Sequence, residues 1–220
     1  MLVPPLPARI MRTAFRSTRG GSAFFLLIQL LFFCGCALNG TSPMMGEPRS
    51  TFQKKDSMHA VTQKAIFAGG CFWGVEYHFN RLKGVLSAKS GYTGGLTDRP
   101  TYQQVCTGKT GHAEAVEVEF DPALVSYEAL AKLFFEIHDP TELNRQGPDI
   151  GTQYRSAVFY TDDGQKMVAE KLIGELKAKG YKVVTTLEQA GPFWVAEGYH
   201  QDYYERNGHQ PYCHIYQKRF

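Results

Sequence analysis

The sequence lacks a CxxC pair, and its five cysteines are too few and too scattered for the disulfide framework of a small secreted domain. Without paired motifs, neither a zinc knuckle nor a thioredoxin-type dithiol site is indicated. Cys34 and Cys36 lie in an apolar N-terminal segment, and the remaining thiols are Cys71, Cys106 and Cys213. Cysteines that belong to no disulfide framework in an exported protein suggest a reactive role for a thiol.

Beyond its N-terminus the chain also lacks an excess of positive charge. The formal net charge is +3 over 220 residues, but residues 1–36 contain four arginines and no acidic residue. The remainder has 20 basic and 21 acidic residues, so its charge gives no reason to expect binding to nucleic acid. The full chain is 43% hydrophobic, and its part beyond residue 36 is long enough to bury a core without disulfides.

The N-terminal segment has the pattern of an export signal. Its arginines precede the apolar run 23–38, which is shorter than the roughly 20 residues of a membrane span. The run ends in small residues, as cleavage sites do. Gly35 and Cys36 resemble the end of a lipoprotein signal, whereas Phe33 is a poor residue for its start, so lipidation of Cys36 stays open.

These features divide the chain into three parts. We assign residues 1–38 to an export signal peptide or lipoprotein-type leader, and the polar residues 39–60 to a flexible linker. Residues 61–220 then form the folded domain, which is periplasmic or anchored to the membrane through the leader. A mis-called start, with the true first residue at Met11 or Met58, is the alternative and would leave the protein in the cytoplasm.

The hydrophobic pattern from residue 64 onward alternates between the periods of strands and helices. From residue 188 onward no period remains, which predicts a coil-rich C-terminal tail packed on the body. The order of elements favours an α+β two-layer sandwich of the ferredoxin-like (split βαβ) type. We predict strands at 64–68, 85–92, 113–120, 155–160 and 181–187, one helix that Cys71 opens, and further helices at 126–138 and 163–179.

The stretch GGCFW places Cys71 at a corner between a strand and a helix. The glycines allow a tight turn, and the first turn of a helix presents unpaired N–H groups and the positive end of its dipole. Such a position lowers the pKa of a thiol, which predicts a reactive Cys71; a buried structural cysteine is the alternative. Phe72 falls on the apolar helix face, whereas Trp73 falls off it and either walls a small pocket or packs against the tail.

Glu114 lies at the start of a predicted strand in which apolar and charged residues alternate strictly. The valines of HAEAVEVEF alternate with its last two glutamates, so the valines face the core and those glutamates face water. Glu114 has the parity of the valines and is therefore predicted to point inward. Because burial raises the pKa of a carboxyl group, Glu114 is a candidate proton donor. A solvated residue at a frayed strand end is the alternative.

Three further polar residues lie in predicted loops. Tyr102 is part of PTYQQ, whereas Asp149 and Tyr154 belong to the Gly/Pro-containing stretch QGPDIGTQYRS. Loops at strand ends often hold functional sites, but polar loop residues are just as often simply solvated. Periodicity does not decide between these two roles.

Five stretches of the sequence resemble, in order, the signature blocks of the A-type peptide methionine sulfoxide reductases. They are GCFWGVE, GYTGG, PTYQQVCTGKTGHAEAVEVEFDP, HDPTELNRQGPDIGTQYRS and YHQDYYERNGHQPYC, and they extend from about residue 63 to residue 216. The resemblance implies that residues 61–220 are a methionine sulfoxide reductase A catalytic domain. It also implies reduction of the S epimer of methionine sulfoxide, free or in proteins, and hence repair of oxidised proteins.

The resemblance implies a role for each candidate residue. Cys71 is the nucleophile that becomes a sulfenic acid, and Glu114 is the acid that protonates the sulfoxide oxygen. Cys213 then condenses with the sulfenic acid to give a disulfide. Cys106 matches a position without a catalytic role, and we expect it to be a small buried side chain. Among the substrate-binding residues, Tyr102 and Tyr154 bind the oxygen, Asp149 supports the site, and Phe72 and Trp73 hold the substrate methyl group.

The resemblance implies no bound cofactor and no metal, with thioredoxin or a thioredoxin-like protein as the external dithiol reductant. We expect a monomer, and a two-cysteine relay because the chain stops without the cysteine-bearing extension of many relatives. Two other classes of function stay open. One is a different thiol enzyme, such as a peroxidase or disulfide exchanger; the other is a non-enzymatic binding module with Cys213, His209 and His214 as metal ligands.

Overall fold

The structure, a computed structural model, describes residues 61–220. The leader and linker predicted at residues 1–60 lie outside the described residues, as do Cys34 and Cys36. Among residues 61–220, no helix has both the length and the apolarity that crossing a membrane requires.

Helices and strands are interspersed along the described chain. The strands are β1 (Gln63–Gly69), β2 (Val85–Thr93), β3 (Ala113–Phe120), β4 (Arg145–Gln146), β5 (Asp149–Ile150), β6 (Ser156–Tyr160), β7 (Thr186–Gln189) and β8 (Trp194–Val195). The helices are α1 (Phe72–Phe79), α2 (Tyr102–Cys106), α3 (Tyr127–Ile137), α4 (Asp163–Ala178) and α5 (Tyr203–Asn207). One turn of 3-10 helix covers Thr152–Tyr154.

Six of these strands form one sheet in the order β7-β6-β1-β3-β2-β8, and β4 pairs with β5 in a separate hairpin. Neighbouring strands in the sheet are antiparallel, except for the parallel pair β6 and β7. β1 and β3 therefore lie side by side in the middle of the sheet. In the register of β2 and β3, Tyr92 lies opposite Glu114, which brings both residues to the same end of the sheet.

The main core lies between one face of the sheet and the helices α1, α3 and α4. Phe67 of β1 stacks on Phe79 of α1 and on Phe134 of α3, with ring centroids 5.2 Å and 5.0 Å apart. Full burial of an apolar side chain of this size contributes about 1.5–3 kcal/mol. The opposite face of the sheet has a smaller cluster that includes Ile66 and Phe159. The structure is thus a mixed α+β protein dominated by its sheet.

The predicted elements with the clearest periods are confirmed, with small shifts at their ends. β3 spans the predicted residues 113–120, and α3 begins after Ser126, whose hydroxyl accepts the N–H of Ala129 at 3.2 Å. α4 begins after Asp162, whose Oδ1 accepts the N–H of Gln165 at 2.9 Å. These caps satisfy N–H groups that a helix leaves unpaired, and thereby fix where the two helices begin.

Two predictions of local structure are wrong. The stretch around PTYQQ is not only a loop, because Thr101 and Gln104 close a capping box that starts α2. The last predicted strand begins at residue 186 rather than 181, because the N–H of Val184 bonds to the carbonyl of Pro140 outside the sheet. The tail also contains β8 and α5, which are too short for a periodic pattern to reveal.

Candidate active site

Cys71 occupies the N-cap position of α1, two residues after the end of β1. Gly70 makes the turn with a φ of 98°, and a Cβ there would lie 2.5 Å from Cβ of Gln146. The Cys71 carbonyl accepts the N–H of Gly74 at 3.3 Å, which continues the turn into the helix. Cys71 therefore lies at the predicted corner between strand and helix, and only 8% of it is exposed.

The pKa of the Cys71 thiol is raised well above its ordinary value, so the prediction of a lowered pKa is wrong. Burial is the largest cause because it removes the water that would solvate a thiolate, and the charge of Glu114 acts in the same direction. The backbone N–H of Trp73 favours the thiolate without outweighing these two effects. The resting site therefore holds a protonated thiol.

Glu114 points towards the helices, as its parity in β3 predicts, and is only 2% exposed. Its Oε2 accepts the N–H of Phe72 at 3.2 Å, so the carboxyl group lies against the first turn of α1, beside Cys71. Burial raises the pKa of Glu114 to about 8, with a further increase from Asp149, while the N–H of Phe72 lowers it. Below that pH the group is a neutral acid with a proton to donate.

Phe72 and Trp73 form an aromatic wall beside the thiol. Phe72 is buried, and its ring centroid lies 5.9 Å from that of Tyr92. Trp73 is half-buried and stacks almost parallel on Tyr203, with ring centroids 3.6 Å apart. Both roles considered for Trp73 are therefore combined, because the ring packs against the tail and also borders the site.

His200 completes this wall, and the sequence pattern does not reveal it. It is 1% exposed, its ring centroid lies 4.4 Å from that of Tyr102, and its Nδ1 accepts the indole N–H of Trp73 at 3.0 Å. Nε2 of the neutral ring therefore carries the proton. This buried N–H has no partner among the described residues. The only signal in the sequence was the abundance of histidines and aromatic residues in the tail.

Tyr102 is the first residue of α2 and is held by the tail. Its backbone N–H donates to Oε1 of Glu197 at 2.9 Å, and the hydroxyl of Tyr92 donates to Oε2 of the same carboxylate at 2.8 Å. Burial raises the pKa of Tyr102, and the charge of Glu114 raises it further. The hydroxyl therefore stays protonated and is able to donate. After His200, Glu197 is a second residue of this region that the hydrophobic periodicity did not reveal.

Asp149 and Tyr154 reach the same region from β5 and the following 3-10 turn. Burial raises the pKa of Tyr154, and the charges of Glu114 and then Asp149 raise it further, so the hydroxyl stays protonated. Oδ2 of Asp149 is buried without a hydrogen-bond partner among residues 61–220, and burial raises the pKa of this carboxyl group. The loop that periodicity left undecided therefore contributes to the site.

The tail brings Cys213 to the same corner. Its thiol is half-buried, and its pKa is raised to about 12, first by burial and then by Asp149. The next residue, His214, lies 3.0 Å from the sulfur of Cys213 and 2.8 Å from the carbonyl oxygen of Gly69, which ends β1 two residues before Cys71. Cys106 is exposed at the end of α2, so the expectation of a buried side chain there is wrong. These three cysteines of the described region are free thiols.

A cavity of about 350 Å³ opens against Trp73 and is lined otherwise by residues of the tail, including Tyr203 and Tyr212. A larger cavity of about 510 Å³ follows the edge of β2 and contains none of the predicted site residues. Within residues 61–220, no group of three His, Cys, Asp or Glu side chains is placed to hold a metal ion.

Comparisons with known proteins agree with this geometry. A sequence model of the family described as peptide methionine sulfoxide reductase matches residues 63–220. Peptide methionine sulfoxide reductase MsrA of Pasteurella multocida is 54% identical over 156 residues, which are 70% of this chain and 90% of that protein.

Two solved structures are also similar to the chain. Reduced Mxr1 from Saccharomyces cerevisiae has a TM-score of 0.66 and 34% identity, over 71% of this chain and 92% of its own. Methionine sulfoxide reductase A of Corynebacterium diphtheriae has a TM-score of 0.61 and 37% identity, over 67% of this chain and 76% of its own. The chain therefore belongs to the peptide methionine sulfoxide reductase family, as a member of the MsrA type, and is an oxidoreductase that acts on methionine sulfoxide.

Proposed function

We propose that the protein reduces the S epimer of methionine sulfoxide, free or within proteins, by attack of the Cys71 sulfur on the sulfoxide sulfur. One observation carries this proposal: Glu114, a buried acid, accepts the N–H of Phe72 directly beside Cys71. Nucleophile and proton donor therefore share one corner of the fold. A sulfoxide oxygen leaves sulfur readily only after it has been protonated, so the reaction needs both groups together.

In the first step, the Cys71 sulfur attacks the sulfoxide sulfur and an S–S bond forms, while the oxygen takes one proton from the thiol and one from Glu114 and leaves as water. Water then attacks the Cys71 sulfur and returns a proton to Glu114. The S–S bond breaks, methionine is released and Cys71 becomes a sulfenic acid, so the cysteine is oxidised as the substrate is reduced. The raised pKa values of both groups fit an uncharged resting pair that an uncharged substrate enters without a desolvation penalty for ions.

The substrate methyl group lies against Phe72 and Trp73, and the oxygen accepts hydrogen bonds from the hydroxyls of Tyr102 and Tyr154. Burial keeps both phenols protonated, which supports this role. Asp149 supports the site through its buried, unpartnered oxygen. Preorganised donors of this kind stabilise charge that develops on oxygen in the transition state.

Cys213 closes the cycle. Its sulfur attacks the sulfenic sulfur of Cys71, water leaves, and a disulfide forms. Thioredoxin or a thioredoxin-like protein then reduces the disulfide, so the protein needs no bound cofactor or metal. The position of Cys213 beside Cys71 supports a two-cysteine relay, in which the exposed Cys106 has no part.

The finer assignments of fold and location belong to the same proposal. The order β6-β1-β3-β2, with α1 and α3 packed in one core, supports a ferredoxin-like (split βαβ) sandwich followed by a coil-rich tail. The arginines and the apolar run in residues 1–38 support an exported or membrane-anchored protein, with residues 39–60 as tether and residues 61–220 as catalytic domain. Mass spectrometry of the mature N-terminus from fractionated cells tests this, since an unprocessed cytoplasmic protein would contradict it.

The deciding experiment measures turnover of the separated S and R epimers of a blocked methionine sulfoxide, with dithiothreitol as reductant. We expect activity of the full chain on the S epimer alone, loss of activity in Cys71→Ser, and impaired recycling in Cys213→Ser. Hydrogen peroxide is tested in parallel as a substrate for a peroxidase. Activity that survives Cys71→Ser, or preference for peroxide, would overturn the proposal.

A further inference from the structure

His214, the residue after Cys213, bridges the tail to the corner that holds Cys71. Its ring is 2% exposed, with Nε2 2.8 Å from the carbonyl oxygen of Gly69 and Nδ1 3.0 Å from Sγ of Cys213. Gly69 ends β1, two residues before Cys71. One imidazole therefore contacts both the backbone that leads to one thiol and the sulfur of the other.

The partners of the ring fix its tautomer. A carbonyl oxygen only accepts hydrogen bonds, so Nε2 carries the proton that it donates to Gly69. Burial lowers the pKa of His214 to about 4, which keeps the ring neutral. Nδ1 consequently has a free lone pair, and the thiol of Cys213 is the donor in the contact between them.

The helix α1 is shaped to receive this ring. A Cβ on Gly74 would lie 2.2 Å from Nδ1 of His214, a distance that real atoms do not adopt, so the seat exists only because residue 74 is glycine. The carbonyl of His214 lies 2.9 Å from Nε2 of His78, one turn further along the helix. Residue 214 is thus fixed to α1 by both its side chain and its backbone.

The rest of this segment has little that holds it in place. Between Glu205 and Lys218, within the described chain, His214 is the one buried residue. The segment is anchored before this stretch by the buried Tyr204, and after it by the N–H groups of Arg219 and Phe220, which donate to Glu136. Within the described residues 205–218, Cys213 itself packs partly buried against the core and the N–H of Gln217 donates to the carbonyl of Glu136 at 2.7 Å, but His214 is the one side chain buried there, so it is the main anchor beside Cys213.

We propose that His214 is a positioning residue for formation of the disulfide between Cys71 and Cys213. This inference rests on the proposed function. In the step concerned, the sulfur of Cys213 attacks the sulfenic sulfur of Cys71, the S–O bond breaks, and the hydroxyl leaves as water with the thiol proton. Methionine sulfoxide, reduced in the preceding step, is the oxidant, so no further reagent is needed.

The test separates the two half-reactions of the full-length protein. Reduced enzyme is mixed with S-methionine sulfoxide without reductant; methionine release measures the first step, and loss of the Cys213 thiol, mapped by alkylation and mass spectrometry, measures the second. In His214→Ala we expect methionine release at the wild-type rate, and disulfide formation slower by about 10-fold or more because the thiol is misplaced. The sulfenic acid then accumulates and is trapped by dimedone.

Three further variants separate positioning from general damage. Gly74→Ala places a methyl group in the space that the His214 ring occupies but leaves the imidazole in the chain. We expect disulfide formation to be slowed as in His214→Ala, with methionine release unchanged. His214→Gln keeps an N–H that can reach Gly69, so its disulfide forms faster than in His214→Ala and slower than in wild type. Ile215→Ala, at a neighbouring residue that is 75% exposed, is the matched control and leaves both steps unchanged.

The outcomes distinguish this inference from the proposed function. If wild type releases no methionine, the proposed function itself fails. If wild type reacts but His214→Ala and Gly74→Ala form the disulfide at the wild-type rate, His214 does not position Cys213. Loss of methionine release in both variants would likewise overturn the inference, because it assigns His214 to the second step alone.

Discussion

The backbone N–H of Phe72 lies 3.2 Å from Oε2 of Glu114, and this hydrogen bond joins the first turn of α1 to the start of the central strand β3. It fixes the carboxyl group next to Cys71, the residue that precedes Phe72. Because Oε2 accepts this hydrogen bond, the proposed reaction uses Oε1 as the oxygen that donates the proton. The same contact opposes the increase in the pKa of Glu114, which nevertheless rises to about 8 because the group is buried.

Replacement of Glu114 by glutamine tests its role as proton donor. Glutamine retains the acceptor for Phe72 and much of the shape but has no acidic proton. We expect the rate of methionine formation in a single turnover to fall by about 10²–10⁴, the usual contribution of a positioned general acid. Glu117→Gln is the matched control, since that residue lies on the same strand and pairs with Lys64 at 3.0 Å instead. Equal losses in both variants would count against a specific role.

The pKa of Glu114 also predicts how stability depends on pH. The folded state retains a proton up to about pH 8, whereas the unfolded chain releases it near 4.5, so the free energy of unfolding falls as pH rises through this range. Glu76, with a pKa raised to about 7, acts in the same direction. Glu114→Gln should remove roughly 4–5 kcal/mol of this dependence at most. Urea unfolding of both proteins at pH 5 and pH 8 measures this dependence. If the free energy of unfolding changes by the same amount between the two pH values in wild type and in Glu114→Gln, the assignment is refuted.

Local periodicity predicted the parts of the site that lie on regular elements. The alternation in β3 identified the inward direction of Glu114, and the corner before α1 identified Cys71. Both inferences depend on backbone geometry that a few neighbouring residues determine. The pKa of Cys71 could not be predicted in this way, because it depends on burial and on Glu114, which comes from a distant strand.

The tail shows the limit of such reasoning. His200, Glu197 and His214 contact residues 95 to 145 positions earlier in the chain, so no local period reveals them. Their hydrogen bonds follow from how a largely irregular segment packs on a completed sheet. Sequence analysis therefore predicted the positions of Cys71 at the start of α1 and of Glu114 on the inward face of β3, but not the residues of the tail that pack around them.

Glu197 accepts the N–H of Tyr102 and thereby positions it. Replacing Glu197 should slow the reaction although its side chain does not contact the reacting atoms. In Glu197→Ala, the N–H of Tyr102 and the hydroxyl of Tyr92 both lose their acceptor. We expect kcat/KM for methionine sulfoxide to fall about 10-fold because the Tyr102 hydroxyl moves away from the oxygen. Glu205→Ala removes an exposed ion pair with Arg81 in the same tail and serves as the control. A fall of the same size in both would indicate general loosening of the tail.

Phe67 tests the core that supports the corner. Its ring stacks on Phe79 and Phe134 and is fully buried. Phe67→Ala removes these contacts and leaves a cavity, so the free energy of unfolding should fall by about 3–5 kcal/mol. Chemical denaturation measures this loss. Leu96→Ala, at a residue that is 98% exposed, should have almost no effect.

The two remaining thiols of the domain should differ in fate after one turnover. Cys213 is half-buried beside Cys71, whereas Cys106 is exposed on α2, next to Tyr102. After reaction with S-methionine sulfoxide without reductant, peptide mapping should show a disulfide between Cys71 and Cys213, with Cys106 still open to alkylation. Cys106→Ser should retain turnover with dithiothreitol, whereas Cys213→Ser, tested without reductant, should stop at the sulfenic acid after releasing one methionine. A disulfide that includes Cys106 would contradict the two-cysteine relay between Cys71 and Cys213.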